Sequence, residues 1–232
     1  MNFDTNAATK SATNSATNSL TNKASYGRLT GGLIAAWFVF ALSASALHLF
    51  KTDPEQPPLA LGLAVSIPLV AFLLWFATSA GFRQFALSLD PRTLTFVQSW
   101  RIAGITFLVL YAAGLLPGVF ALPAGWGDIA IGATAPLAAL KLANFSRRRG
   151  FIFWQILGIF DLVTAVATGT TARWIHPNEV ATAPMTVLPL SLIPTFAVPL
   201  FLMLHIICIV QARQWKAGEH SQVGEQLRAS AS

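Results

Sequence analysis

Asp161, Arg101 and His205 are ionisable side chains standing within long apolar runs of the sequence. A charge in hydrocarbon is costly and is normally paired or turned to a cavity, so each marks a candidate site. Asp161 lies ten residues into the run 151–172. That is roughly 15 Å from the edge of the run at about 1.5 Å per residue, near the middle of a bilayer core about 30 Å thick. A carboxyl at that depth is either protonated and hydrogen-bonded to a neighbouring helix, or it couples protons or binds a substrate. If ionised it needs a cation close by. Arg101 and His205 are basic residues of compatible depth, and the three together would line the cytoplasmic half of one substrate or proton pathway. Taken singly, Arg101 reads as a residue snorkelling from a span edge and His205 as a hydrogen-bonded interior histidine. Asp128 follows Pro123, Gly125 and Gly127 and reads as a helix cap, its carboxylate accepting from the orphan N–H groups of a new helix.

Apolar segments must position these residues, and composition says of what kind. Of the 232 residues, 54% are hydrophobic and 10% charged, whereas about a quarter are charged in soluble domains. The core is built to meet lipid. Six apolar runs, 29–50, 59–82, 96–122, 126–143, 151–172 and 188–211, predict an all-α polytopic transmembrane bundle of six spans. The third and fourth form its central hairpin, with the turn placed in the Pro/Gly stretch 123–127. Residues 1–27 are rich in Ser, Thr and Asn and are expected as a disordered cytoplasmic tail. Residues 28–213 are the six-helix domain, and 214–232 a short cytoplasmic C-terminal tail. The first run exceeds a signal-peptide h-region of about 7–15 residues and reads as a retained helix.

Charge sets the expected orientation. The tail, the second and fourth connections and the C-terminus hold 13 Lys and Arg, Arg101 included, whereas the other connections hold only Lys51 and Arg173. Basic short loops stay cytoplasmic, so both termini are expected inside. Trp100, Trp126, Trp174 and Trp215 fall at the expected span ends and fit an aromatic belt. The stretches from Ile67 and from Val198 can be aligned with one gap, which would make the first and last hairpins parallel repeats flanking the central one.

Other chemistries lack their signatures. The net charge of +6 comes from residues at helix ends and in short loops, so no nucleic-acid face is expected. Cys208 is the single cysteine, inside an apolar run, which leaves no intrachain disulfide or thiolate metal site. His48 and His205 lie roughly 18 Å apart in expected depth, too far for one haem iron. The sequence has no metalloprotease, nucleophile-elbow or phosphate-loop motif. A retinal Schiff base would need a lysine within a span, and Lys141 only approaches one. A Ser191, His205 and Asp161 triad can be written down, but spacing this free gives it little specificity.

The pattern of Arg101 with Gly104, L-P-G-V-F-A-L-P-A-G-W-G-D over 116–128, Asp161, and I-P-T-F-A-V-P over 193–199 before His205 resembles a family of small bacterial membrane proteins. The resemblance covers most of 95–213. It implies a six-helix bacterial cytoplasmic membrane protein and no particular activity. The reading from the residues is a small permease or coupling subunit, without cofactor or metal, whose partner is the lipid bilayer together with a second copy or another membrane subunit. The alternatives are an intramembrane enzyme or redox protein using His205 and Asp161, and an accessory protein with no site.

Overall fold

In a computed structural model the described residues are 4–51, 59–175, 180 and 182–215, with side chains described from 24 onward except at 173–175; all of their regular structure is helical. Helix α1 (Asp4–Ala46) runs unbroken across position 27, where the composition changes. Extending a nucleated helix adds one bond per residue fixed, so a change of polarity need not end it. Its end is a left-handed turn at His48, with φ 57°, over which the Leu49 N–H donates to Ala44 O at 2.9 Å. Helix α2 (Leu59–Thr78) stops four residues before the expected limit because Ser79 caps a separate helix, α3 (Ala80–Leu87). The Ser79 hydroxyl accepts from the Phe82 N–H at 3.2 Å. Phe82 then lies flat on Trp75, with ring centroids 3.8 Å apart.

The third traverse, Pro91–Ala112, is composite. Helix α4 (Pro91–Val97) passes into a 3₁₀ segment (Gln98–Gly104) and then into α5 (Ile105–Ala112). Asp90 opens it as the N-cap, accepting from the N–H groups of Arg92 at 3.2 Å and Thr93 at 3.0 Å and from the Thr93 hydroxyl at 2.7 Å. Slight burial pushes the Asp90 carboxyl up, but these hydrogen bonds and the Arg92 charge outweigh it and hold the group below its ordinary value of 3.8. A depressed carboxylate adds stability above its unfolded pKa, and that stability is lost as pH falls through the folded value. Asp90→Ala should therefore cost about 1 kcal/mol at neutral pH. The deficit against wild type should shrink below the ordinary carboxylate range in pH-dependent thermal unfolding; a deficit unchanged by acid would exclude the cap.

Gly114, with φ 71°, ends α5: its N–H bonds Tyr111 O at 2.9 Å and the Leu115 N–H bonds Leu110 O at 2.8 Å. Pro117 then caps α6 (Gly118–Leu137), which continues as a π segment (Ala138–Leu142). The central turn thus lies at 113–117 and not at 123–127. Pro123 sits in the second turn of α6, where a proline forgoes a single bond, whereas Gly114 and Pro117 supply the stop and the start. Helix α7 (Arg148–Ile175) returns, and a π segment (Ile193–Ala197) leads into α8 (Val198–Gln214).

Five stretches among the described residues are long and apolar enough to cross a membrane: Ala24–Ala46, Leu59–Thr78, Pro91–Ala112, Phe145–Ala172 and Ile193–Gln214. Helix α6 is as long as α2, at 20 residues, but Asp128, its glycines and two prolines dilute its hydropathy. The outer surface carries exposed Phe40, Leu74, Leu140 and Phe160, as suits a lipid-facing bundle and not a soluble one. Trp100 and Trp126 correct the expected belt. Both are exposed but lie well inside their helices, because the sequence-based ends were misplaced by several residues. Trp215, at the end of α8, packs on Phe151 with centroids 5.3 Å apart. Trp174 lies outside the described side chains. Helices α2 and α8, which hold the two similar stretches, pack on each other through Val65, Val198 and Leu202.

Candidate functional site

The 3₁₀ segment explains how one arginine comes to face three helices. At three residues per turn, side chains at i and i+3 eclipse. Thr95, Gln98, Arg101 and Gly104 accordingly form a column, all buried, on the side of the third traverse that meets α6, α7 and α8. Helix α6 answers with a stripe of small residues, Ala121, Ala124, Gly125, Gly132 and Ala135, at helical spacing, and Asp128 stands in the middle of that stripe. A methyl group on Gly104 would overlap Asp128, one on Gly127 would overlap Asp161, and one on Gly158 would overlap the His205 ring. The missing side chains are the space the polar ones occupy.

Arg101 is the hub. Its Nε donates to Asp128 Oδ1 at 2.7 Å, and its Nη2 donates to Asp161 Oδ2. Nη1 donates to Gly158 O at 3.3 Å and to His205 Nε2 at 3.4 Å. With Nε2 accepting, the His205 proton is on Nδ1, which donates to Gln155 Oε1. The Gln155 amide in turn donates to the Thr95 hydroxyl at 3.0 Å, and that hydroxyl donates to Pro91 O at 2.7 Å. Each link in this chain sets a donor against an acceptor, and the chain requires a neutral His205. Both ring nitrogens are engaged, and the Trp154 ring packs alongside with centroids 5.8 Å apart.

Asp161, Arg101 and His205 therefore come together as expected, each near the middle of its helix. Arg101 is no snorkelling edge residue: its side chain is 1% exposed. The expectation for Asp128 is corrected. It does not begin a helix, because α6 starts at Gly118, and it is the second carboxylate on Arg101. Gln155, Thr95 and Gln98 were not singled out from the sequence. Their signal was available, since Gln155, Gly158 and Asp161 recur every three residues on α7 and Thr95, Gln98 and Arg101 do so on the third traverse. The Ser191 hydroxyl is buried without a hydrogen-bond partner, so it forms no triad with His205 and Asp161. No grouping of three or more His, Cys, Asp or Glu suited to a metal occurs among the described residues.

One guanidinium between two carboxylates, with a neutral histidine, leaves one negative charge over if both carboxylates are ionised. Asp128 also reaches a cavity of about 70 Å³ between α2, α6, α7 and the π segment Ile193–Ala197, walled by Phe107, Phe120 and Met185. At about 10–15 Å³ per water-sized site, that is room for roughly five or six non-hydrogen atoms.

A helical bundle of apolar, membrane-length helices closed around a buried ionic cluster defines the class of this protein as one compatible with life in a membrane. It belongs to the family described as Domain of unknown function (DUF8737), which matches residues 58–213 and so takes in every residue of the cluster. No curated protein and no solved structure matches the chain.

Proposed function

We propose that this is an integral membrane protein of six spans, the five long apolar stretches with α6 as the fourth crossing in chain order, in the bacterial cytoplasmic membrane with both termini inside. It acts as a small permease or coupling subunit whose polar pathway runs through Asp128, Arg101, Asp161 and His205. The observation that carries the reading is the unequal ion cluster at mid-helix, open on one side to a cavity. A purely structural pair in hydrocarbon is best served by matched charges, whereas a surplus carboxylate is a place for a proton or a cation to come and go. The intramembrane redox reading is weaker, because His205 would have to give up Arg101 or Gln155 to ligate a metal.

Orientation is tested by alkaline phosphatase fusions. A fusion after Leu115 should be active and one after Arg149 inactive, following the basic residues near the second. The reverse pattern would overturn the orientation, and two fusions of the same activity, both active or both inactive, would remove α6 as a span. The pathway is tested by water-soluble thiol reagents on single-cysteine proteins in which Cys208 is first replaced by serine. Thr186→Cys should label from outside, and Thr95→Cys should label from inside once the cell is opened. Protection of both positions from both sides would favour an accessory protein with no pathway.

A further inference from the structure

The cavity beside Asp128 has a chemical character that names its ligand class. Its polar lining side chains are Asp128, Thr170, Thr182 and Thr186. Each threonine hydroxyl has already donated its proton to a backbone carbonyl: Thr170 to Val166 O at 2.8 Å, Thr182 to Gly169 O at 3.0 Å and Thr186 to Ala183 O at 2.7 Å. A hydroxyl so committed offers only lone pairs to the cavity. Asp128 uses Oδ1 for Arg101, and its Oδ2 has no hydrogen-bond partner among the described residues. The polar side chains lining the cavity thus present acceptors. The remaining wall is apolar, including Phe107 and Phe120, whose ring centroids are 5.3 Å apart.

Acceptors, a carboxylate with one oxygen unpartnered and aromatic faces call for a donor with positive charge and a short apolar body. An anion would meet Asp128 with no donor to receive it. A neutral alcohol could donate one hydrogen bond but brings no charge to two carboxylates that share one guanidinium. A strongly hydrated metal ion would find one carboxylate oxygen and three scattered hydroxyls where it needs about six oxygens. We propose that this cavity binds a small alkylammonium ion of about five non-hydrogen atoms, its nitrogen on Asp128 Oδ2 and its hydrocarbon against Phe107 and Phe120. This deepens the permease reading by naming its substrate class, and it rests on that reading only for the claim that the ligand is carried.

The test is binding, measured in detergent where no flux exists, so it can fail independently of transport. Purified full-length protein is titrated calorimetrically with n-butylammonium, n-butanol and butyrate at equal ionic strength. Butylammonium should bind at least about ten-fold more tightly than butanol, a gap of about 1.4 kcal/mol, and butyrate should not bind. Asp128→Asn should erase the preference for the cation. Should that variant fail to fold, Ala165→Leu fills the same cavity with hydrocarbon while keeping every ionic group of the cluster, and should abolish butylammonium binding while leaving the unfolding temperature near that of wild type. Equal affinity for butanol and butylammonium, or butylammonium binding retained in either variant, overturns the assignment. Butylammonium binding without uptake into proteoliposomes would leave it standing and remove the permease.

Discussion

Arg101→Met should lower the stability of the detergent-solubilised protein by about 3–5 kcal/mol, the usual cost of stranding a buried charge. Arg101 Nε and Nη2 reach carboxylates on two different helices, so its loss sets Asp128 and Asp161 against each other with nothing between them. It also takes the donor from His205 Nε2 and from Gly158 O, which breaks the fixed order of the chain running to Pro91. Arg101→Lys should recover less than half of the loss, because one ammonium lacks the planar fork that reaches both acids at once. The triple variant Arg101→Met/Asp128→Asn/Asp161→Asn should recover most of it, since no charge is then left buried without a partner. Thermal and SDS unfolding of the four proteins decide the matter. An Arg101→Met protein within about 0.5 kcal/mol of wild type would mean that water reaches the cluster freely. A triple variant no more stable than Arg101→Met would mean that the ionic contacts do not couple the helices.

Much of the cluster was legible because ionisable residues in apolar runs are rare enough to count. Asp161, Arg101 and His205 stand out on composition alone, and depth arithmetic was sufficient to suggest that they meet. Asp128 was misread for a specific reason. The stretch 116–128 carries two Pro/Gly groups, and the second, Pro123 to Gly127, has the denser turn signal. Glycine has two uses in such a protein, freeing the backbone in a turn and clearing space between packed helices, and residue type does not distinguish them. Only Gly114 of the central hairpin adopts a positive φ; Gly125 and Gly127 are helical and serve contact. With the turn at 123–127, Asp128 falls at a helix start and capping is the natural reading. The same shift placed Arg101 near a span edge and put Trp100 and Trp126 in the expected belt.

The partners of the cluster were harder to see because their signal depends on the local helix type. Thr95, Gln98 and Arg101 share a broad face in any helix, but Gln98, Arg101 and Gly104 fall into one column because the backbone there tightens to three residues per turn, which no propensity in Q-S-W-R-I-A-G announces. The cause lies in tertiary packing: the close approach of α6 fixes which face of the third traverse can turn inward. The two π segments, at Ala138–Leu142 and Ile193–Ala197, are likewise departures that sequence period does not encode, although Pro194 marks one of them. Irregular turns at membrane depth are tolerated where neighbouring helices take up the freed groups, and these flank the cluster and its cavity.

That close approach leads to the second large effect, at Gly132, one turn beyond Asp128 on the small-residue face of α6. A Cβ there would meet backbone and not a movable side chain, with Arg101 C at 2.9 Å and Ile102 Cα at 3.1 Å. Backbone cannot rotate aside, so Gly132→Val must push α6 away from the 3₁₀ segment. Overpacking of this kind costs about 1–3 kcal/mol where side chains can yield and more where they cannot. Separation of the two elements also lengthens the contact between Arg101 and Asp128, which stands at 2.7 Å. Gly132→Val should therefore fail to yield folded protein, and Gly132→Ala should lose several kcal/mol. Gly31→Ala, in α1 with nothing within 4 Å of the added methyl, should be neutral or gain on the order of 0.5–1 kcal/mol from helix propensity. If loss of charge is the main consequence of the separation, Asp128→Asn in the Gly132→Ala background should cost less than Asp128→Asn alone. Should the two losses instead add in full, α6 would be shown to yield at Gly132 without moving Asp128, and the glycine would serve packing alone.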